Sequence, residues 1–177
     1  MKKVFLAVVV TMMSFAASAQ VWMGGSLGLD FTKPDEGKTV TTFSIAPEVG
    51  YSLNDKWDVA IALNESFVAY DDVFANSISV EPYARFTFAK AGIASFFVDG
   101  GFGIGATEID LDGGLLDDNT TEFYIGLRPG VKVALSEKVG LVAKLGFFGY
   151  QRVVDQYSNF GLNINNNSLS FGMYWNF

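Results

Sequence analysis

No cysteine and no histidine occur among the 177 residues. The first absence excludes a disulfide scaffold, a thiolate zinc site, a cysteine nucleophile and a cysteine-linked lipid anchor. The second removes the usual general base and the commonest metal ligand. Basic residues are also scarce. Twelve Lys and Arg face 19 Asp and Glu, a formal charge of −7, which is the wrong sign for a nucleic-acid partner. Charge overall is low at 18%, against 50% apolar and 15% aromatic residues, and this excludes a disordered chain. The length is that of one domain.

The first nineteen residues read as a secretory signal to be cleaved. Lys2 and Lys3 form a basic start, Val4 to Phe15 an apolar stretch, and Ala17-Ser18-Ala19 a small-x-small cleavage site before Gln20. The apolar stretch is short of the about 20 residues that a spanning helix needs. The domain reading is therefore a signal peptide over 1–19 and one folded domain over 20–177.

Beyond residue 20 the dominant pattern has period two. Leu169, Phe171, Met173, Trp175 and Phe177 alternate with Ser168, Ser170, Gly172, Tyr174 and Asn176. A strand sends alternate side chains to opposite faces, so this segment has one apolar wall and one small or polar wall. The pattern recurs at about 21–31, 40–53, 57–68, 77–88, 95–107, 121–135 and 139–150, which predicts eight strands. Phe147 falls on the apolar wall of its strand and Phe148 on the other. Charges gather on the second wall, at Asp30, Glu48, Asp58, Glu81, Arg85, Asp99, Glu122, Arg128, Lys132 and Lys144. Among strand-interior positions only Glu65 falls on the apolar wall.

The second wall does not read as a hydrated surface. It is crowded with glycine (Gly24, Gly50, Gly101, Gly103, Gly130 and Gly140 among others) and with large rings at Trp22, Tyr83, Phe97, Tyr124, Phe148 and Tyr174. Alternating small and large residues suit the packed interior of a narrow barrel. The continuous apolar wall then faces lipid. All eight segments reach the about 9–11 residues of a spanning strand, and membrane strands must close on themselves. Predicted connections alternate short (54–56, 90–94, 136–138) and long (32–39, 68–76, 108–120, 151–167), as in outer-membrane barrels with short periplasmic turns and long external loops. Both termini are then periplasmic. Tyr51, Trp57, Phe88, Phe96 and Trp175 would form an aromatic girdle at the periplasmic rim, with Phe31, Phe67, Tyr70, Phe123 and Phe147 toward the other. Pro47, Pro82 and Pro129 fall inside strands, where a closed barrel offers no edge to hold them. They are read as bulge positions on the lipid face, or else as early strand ends.

On these residues the chain resembles the small outer-membrane β-barrel family of the OmpA-transmembrane-domain or OmpX type. It is similar in particular to the porin-like "outer membrane protein beta-barrel domain" family common in Bacteroidetes. The matching features are the signal ending at Ala17-Ser18-Ala19, Pro-Glu-Val-Gly-Tyr at 47–51, and the final Tyr174-Trp175-Asn176-Phe177. The resemblance implies an all-β, eight-stranded antiparallel up-and-down transmembrane barrel. It also implies that Leu169, Phe171, Met173, Trp175 and Phe177 are the signal read by the outer-membrane assembly machinery. The implied partners are outer-membrane lipid and lipopolysaccharide, and a host or surface ligand through the external loops.

Several residues could carry chemistry. Enzymes of this barrel type use a histidine, as the resemblance has it, and this chain has none. The expectation is a non-enzymatic monomer without cofactor, in a structural or surface-interaction role such as envelope integrity, adhesion or loop display. The alternative is a narrow pore for ions or small solutes. Glu48, Glu81, Arg85, Asp99, Arg128, Lys132 and Lys144 are either a static plug of ion pairs or a pairing that switches. Asp110 and Asp112 beside Gly113 are a weak calcium candidate in an acidic loop whose spacing matches no EF-hand, and the other reading is a solvated surface loop. The segment 151–167 carries Asn159, Asn163, Asn165, Asn166 and Asn167 with Tyr157 and Phe160, which suits recognition of sugars or proteins, although asparagine is also a routine turn residue.

Overall fold

The computed structural model describes residues 20–32, 40–70, 73–111, 120–163 and 169–177. The strands are β1 (Val21–Thr32), β2 (Val40–Ser52), β3 (Trp57–Tyr70), β4 (Val73–Ala91) and β5 (Ala94–Leu111). They continue with β6 (Thr120–Ala134), β7 (Val139–Leu145), β8 (Phe147–Val153), β9 (Tyr157–Asn163) and β10 (Leu169–Asn176). β1 to β7 pair in succession, β7 pairs with β10, and β10 returns to β1, all antiparallel. The result is a closed eight-stranded barrel, and closure leaves no open edge around the ring. The β8–β9 hairpin grows from it, seated on β6.

Alternation decides what faces where. Trp57, Phe88, Phe96, Phe171 and Met173 stand exposed on the outer wall, whereas Trp22, Tyr83, Phe97, Tyr124 and Tyr174 are buried inside. Each inner ring pairs directly across a ladder with a glycine: Trp22 with Gly50, Tyr83 with Gly101, Phe97 with Gly130, Tyr124 with Gly103, and Tyr174 with Gly140. A Cβ on any of these glycines would run into its partner residue, so the glycine provides the floor on which the ring lies. Small and large residues thus fill an eight-stranded interior.

Four expectations are corrected. The seventh strand is not continuous. Gly130 pairs with Lys144 and Leu127 with Phe148, so β7–β8 spends one residue more than β6 over this interval. Gly146, with φ 72°, marks the resulting bulge, a backbone shape that favours glycine. The extra residue reverses alternation. Phe147 therefore turns into the lumen, edge-on to Tyr124 at 6.1 Å between centroids, and Phe148 turns outward. Phe147 leaves the predicted girdle.

The predicted long connections at 68–76 and 151–167 are largely strand. β3 reaches Tyr70 and β4 begins at Val73, paired with each other, so two residues join them. Residues 154–156 join β8 to β9, with Asp155 at φ 60°. β4 and β5, at 19 and 18 residues, exceed what a membrane requires.

The three prolines neither end their strands nor bulge them. Each keeps one ladder in register: Gly25 with Pro47, Ile61 with Pro82, Val98 with Pro129. On the opposite side each leaves a gap, toward β3, β5 and β7–β8 respectively. A missing N–H removes ladder bonds on one side only, and that loss is how a barrel without edges holds them. The residue beside each proline is an interior charge, namely Glu48, Glu81 and Arg128.

Glu65 is the fourth correction. It shares its row with Ile61 and Phe67, yet it is 5% exposed and lines an interior cavity. A carboxylate held toward lipid would lack both water and partner. The ladder gap beside Pro47 begins one step from the Ile45–Glu65 pair, and there Glu65 sits against the cavity.

Candidate functional site

The lumen divides in two along its axis. The half near the short turns is packed solid. Its centre is Arg85 on β4, which pairs across the ladder with Asp99 on β5. Arg85 Nε donates to Asp99 Oδ1 at 2.7 Å and Nη2 to Oδ2 at 2.9 Å, a two-pronged bond in which neither residue is exposed above 3%. The guanidinium lies 4.0 Å from the centre of the Phe97 ring and 5.4 Å from that of Trp22. Phe97 has no exposure at all. Rings on both sides exclude water from the pair, and this strengthens it.

Two further ion pairs stand above this floor. Lys144 Nζ on β7 donates to Glu48 Oε2 at 2.8 Å and comes within 3.7 Å of Asp99 Oδ2, and Tyr83 donates its hydroxyl to the same Glu48 oxygen at 2.8 Å. Arg128 on β6 meets both oxygens of Glu81, at 2.7 and 2.5 Å, and Tyr124 adds a hydroxyl bond to Glu81 at 2.8 Å. Six of the seven predicted lumen charges are therefore brought together in pairs. Lys132 stands apart, its ammonium 3.9 Å from the Tyr174 ring centre, and no ion pair of it occurs among the described residues.

The half toward the long connections is hollow. A cavity of about 450 Å³ is lined by Ser26, Ser44, Ser66, Ser79, Ser170, Asn64 and Gln151. Its charged walls are Glu48, Glu65, Glu81, Glu122, Arg128 and Lys144. Five serines share the lining with only two rings, Tyr124 and Phe147, so the space stays open to water. The sequence reading missed Glu65 here, because its place in the alternation assigns it to lipid. No ion pair of Glu65 occurs among the described residues.

Among the remaining candidates, the outer-wall aromatic residues are surface features. Tyr51, Trp57, Phe88, Phe96 and Trp175 are all exposed on the outer wall near the short-turn end. Phe171, Met173 and Phe177 are exposed likewise, while the side chain of Leu169 lies outside the described residues. Of the calcium candidate, Asp110 belongs to β5 without a described side chain, and Asp112 and Gly113 lie outside the described residues. No cluster of three metal-ligating side chains occurs among the described residues. In the asparagine-rich segment, Tyr157 and Phe160 are exposed on β9 and Asn159 lines a small cleft with Gln151. The side chains of Asn163, Asn165, Asn166 and Asn167 lie outside the described residues.

The family model described as "Outer membrane protein beta-barrel domain" matches residues 4–177. Among solved structures the chain is similar to Neisserial surface protein A, at 19% identity and a TM-score of 0.58, over 90% of this chain and 98% of that one. It is also similar to the N-terminal β-barrel domain of Pseudomonas aeruginosa OprF, at 16% identity and a TM-score of 0.56, over 89% and 98% of the two chains. At these identities the likeness is one of fold. No curated protein sequence matches.

Proposed function

The chain belongs to the outer membrane protein β-barrel domain family, which places it in the bacterial outer membrane, and from that premise we propose a non-conducting, non-enzymatic barrel that holds strand hairpins at the cell surface. The observation that carries this reading is the floor of the lumen. The buried Arg85–Asp99 pair, with the Phe97 and Trp22 rings close to the guanidinium, supports a lumen closed at its short-turn half. Leaving one charge of such a buried pair uncompensated costs about 3–5 kcal/mol, which holds the two charges together. This argues for the structural role over the narrow pore.

The same reading sets the topology. Both termini, after removal of residues 1–19, lie in the periplasm with the short turns. The extended β3–β4–β5 strands and the β8–β9 hairpin project outward, and exposed Tyr157 and Phe160 offer rings to a surface ligand. The apolar wall meets lipid and lipopolysaccharide as a monomer. The terminal row of Phe171, Met173, Trp175 and Phe177 is what the assembly machinery reads.

A chain without cysteine allows a clean test. Ser158→Cys and Asn54→Cys are labelled in intact cells with a membrane-impermeant maleimide. Ser158→Cys is expected to react at once and Asn54→Cys only after the outer membrane is permeabilised. The reverse pattern overturns the topology and with it the display role.

A further inference from the structure

The floor explains why the barrel is shut but leaves the cavity above it without a purpose. Its charges do not balance. Glu48 is met by Lys144 and Glu81 by Arg128, whereas Glu65 and Glu122 line the same space with no ion pair among the described residues. Glu65 is the telling one, because it is 95% buried and lines this cavity. A buried carboxylate without a cation is costly, and burial of this kind persists where something else meets the charge.

We propose that the cavity is a binding site for a small organic polycation of the alkyl-diamine or polyamine class. The size suits it, since small-molecule sites run from about 300 to 1,000 Å³ and this one holds about 450 Å³. The lining suits it too. An ammonium group donates up to three hydrogen bonds and accepts none. The cavity offers two carboxylates in excess and a ring of serine hydroxyls and amide oxygens to receive them. The surplus negative charge repels an anion. A divalent metal finds no cluster of three ligating side chains among the described residues. Two ammonium groups on a flexible chain can reach separate carboxylates, as a single ion cannot. Glu122 stands two residues inside the long-connection end of β6, so the site is approached from that side.

Isothermal titration of the refolded barrel in detergent micelles tests this, with putrescine and spermidine as probes and 1,4-butanediol as the uncharged analogue. Saturable one-to-one binding of the amines is expected, with none of the diol. Glu65→Gln is expected to weaken binding at least tenfold and Glu122→Gln about threefold. Magnesium chloride at matched ionic strength is expected not to displace the amine. The proposal is overturned if a barrel with a heat-dependent gel shift gives no saturable binding. It is equally overturned if Glu65→Gln binds as well as wild type, or if magnesium displaces the amine at matched ionic strength. Should Glu65→Gln not refold, unchanged affinity in Glu122→Gln overturns it. None of these outcomes depends on whether the barrel conducts.

Discussion

The two halves of the lumen are built from the same eight strands, yet one is solid and the other hollow. The difference is what stands opposite each glycine. Near the short turns Trp22, Tyr83, Phe97 and Tyr174 each lie on a glycine of the next strand. Toward the long connections the partners are small on both sides, as with Gly28 opposite Ser44 and Ser79 opposite Gly105. Rings expel water and allow a dry ion pair, whereas serines leave space that water fills. The charge pattern follows. The dry half holds the two-pronged Arg85–Asp99 pair. The wet half tolerates Glu65 and Glu122 without an ionic partner among the described residues.

The sharpest way to break this comparison is to remove one charge from each half. Asp99→Ala leaves Arg85 buried and alone and is expected to destabilise the barrel by about 3–5 kcal/mol, read as a shift in the urea midpoint of barrels folded in lipid vesicles. Glu65→Gln in the wet half breaks no ion pair among the described residues and is expected to change stability by about 1 kcal/mol or less. Equal losses would mean that the halves are not electrostatically distinct. A smaller effect separates the glycines. Gly130→Ala places a Cβ into the Phe97 ring and the backbone oxygen of Ala143, and is expected to cost about 1–3 kcal/mol through overpacking. Gly161→Ala on β9 meets nothing nearer than Asn159 Oδ1 at 3.9 Å, and its urea midpoint is expected to be that of wild type. The smallest effect concerns Trp22, whose Nε1 is buried without a hydrogen-bond partner. Trp22→Phe removes that unsatisfied donor, worth about 1–3 kcal/mol, while opening a void of similar cost. A net change under about 1 kcal/mol is expected in the same assay.

Much of this was legible in the sequence. Period two, the alternation of glycine with rings, and the placing of charge opposite the apolar wall indicate the barrel and put seven charges on its inner wall, without saying which pairs with which. What escaped has physical reasons. The segment Gly146-Phe147-Phe148-Gly149-Tyr150 is aromatic in both parities, so the reversal caused by one extra residue leaves no trace in the pattern. The hairpin between β3 and β4 has Asp71-Asp72 where loops are usual, and alternation is weak in the Val-Phe-Ala-Asn that follows. Glu65 occupies a lipid-facing place in the register, yet it is buried and lines the cavity next to the β2–β3 ladder gap beside Pro47. That juxtaposition across neighbouring strands is invisible along one chain.

The central claim is that the dry half closes the lumen. Single-channel recording of the refolded barrel in a planar bilayer, at several salt concentrations, tests it most directly. The account predicts a silent baseline from wild-type barrel with a heat-dependent gel shift. Reproducible small steps from the wild type, abolished when Arg128 or Lys132 is replaced, would contradict it and identify a gated pore.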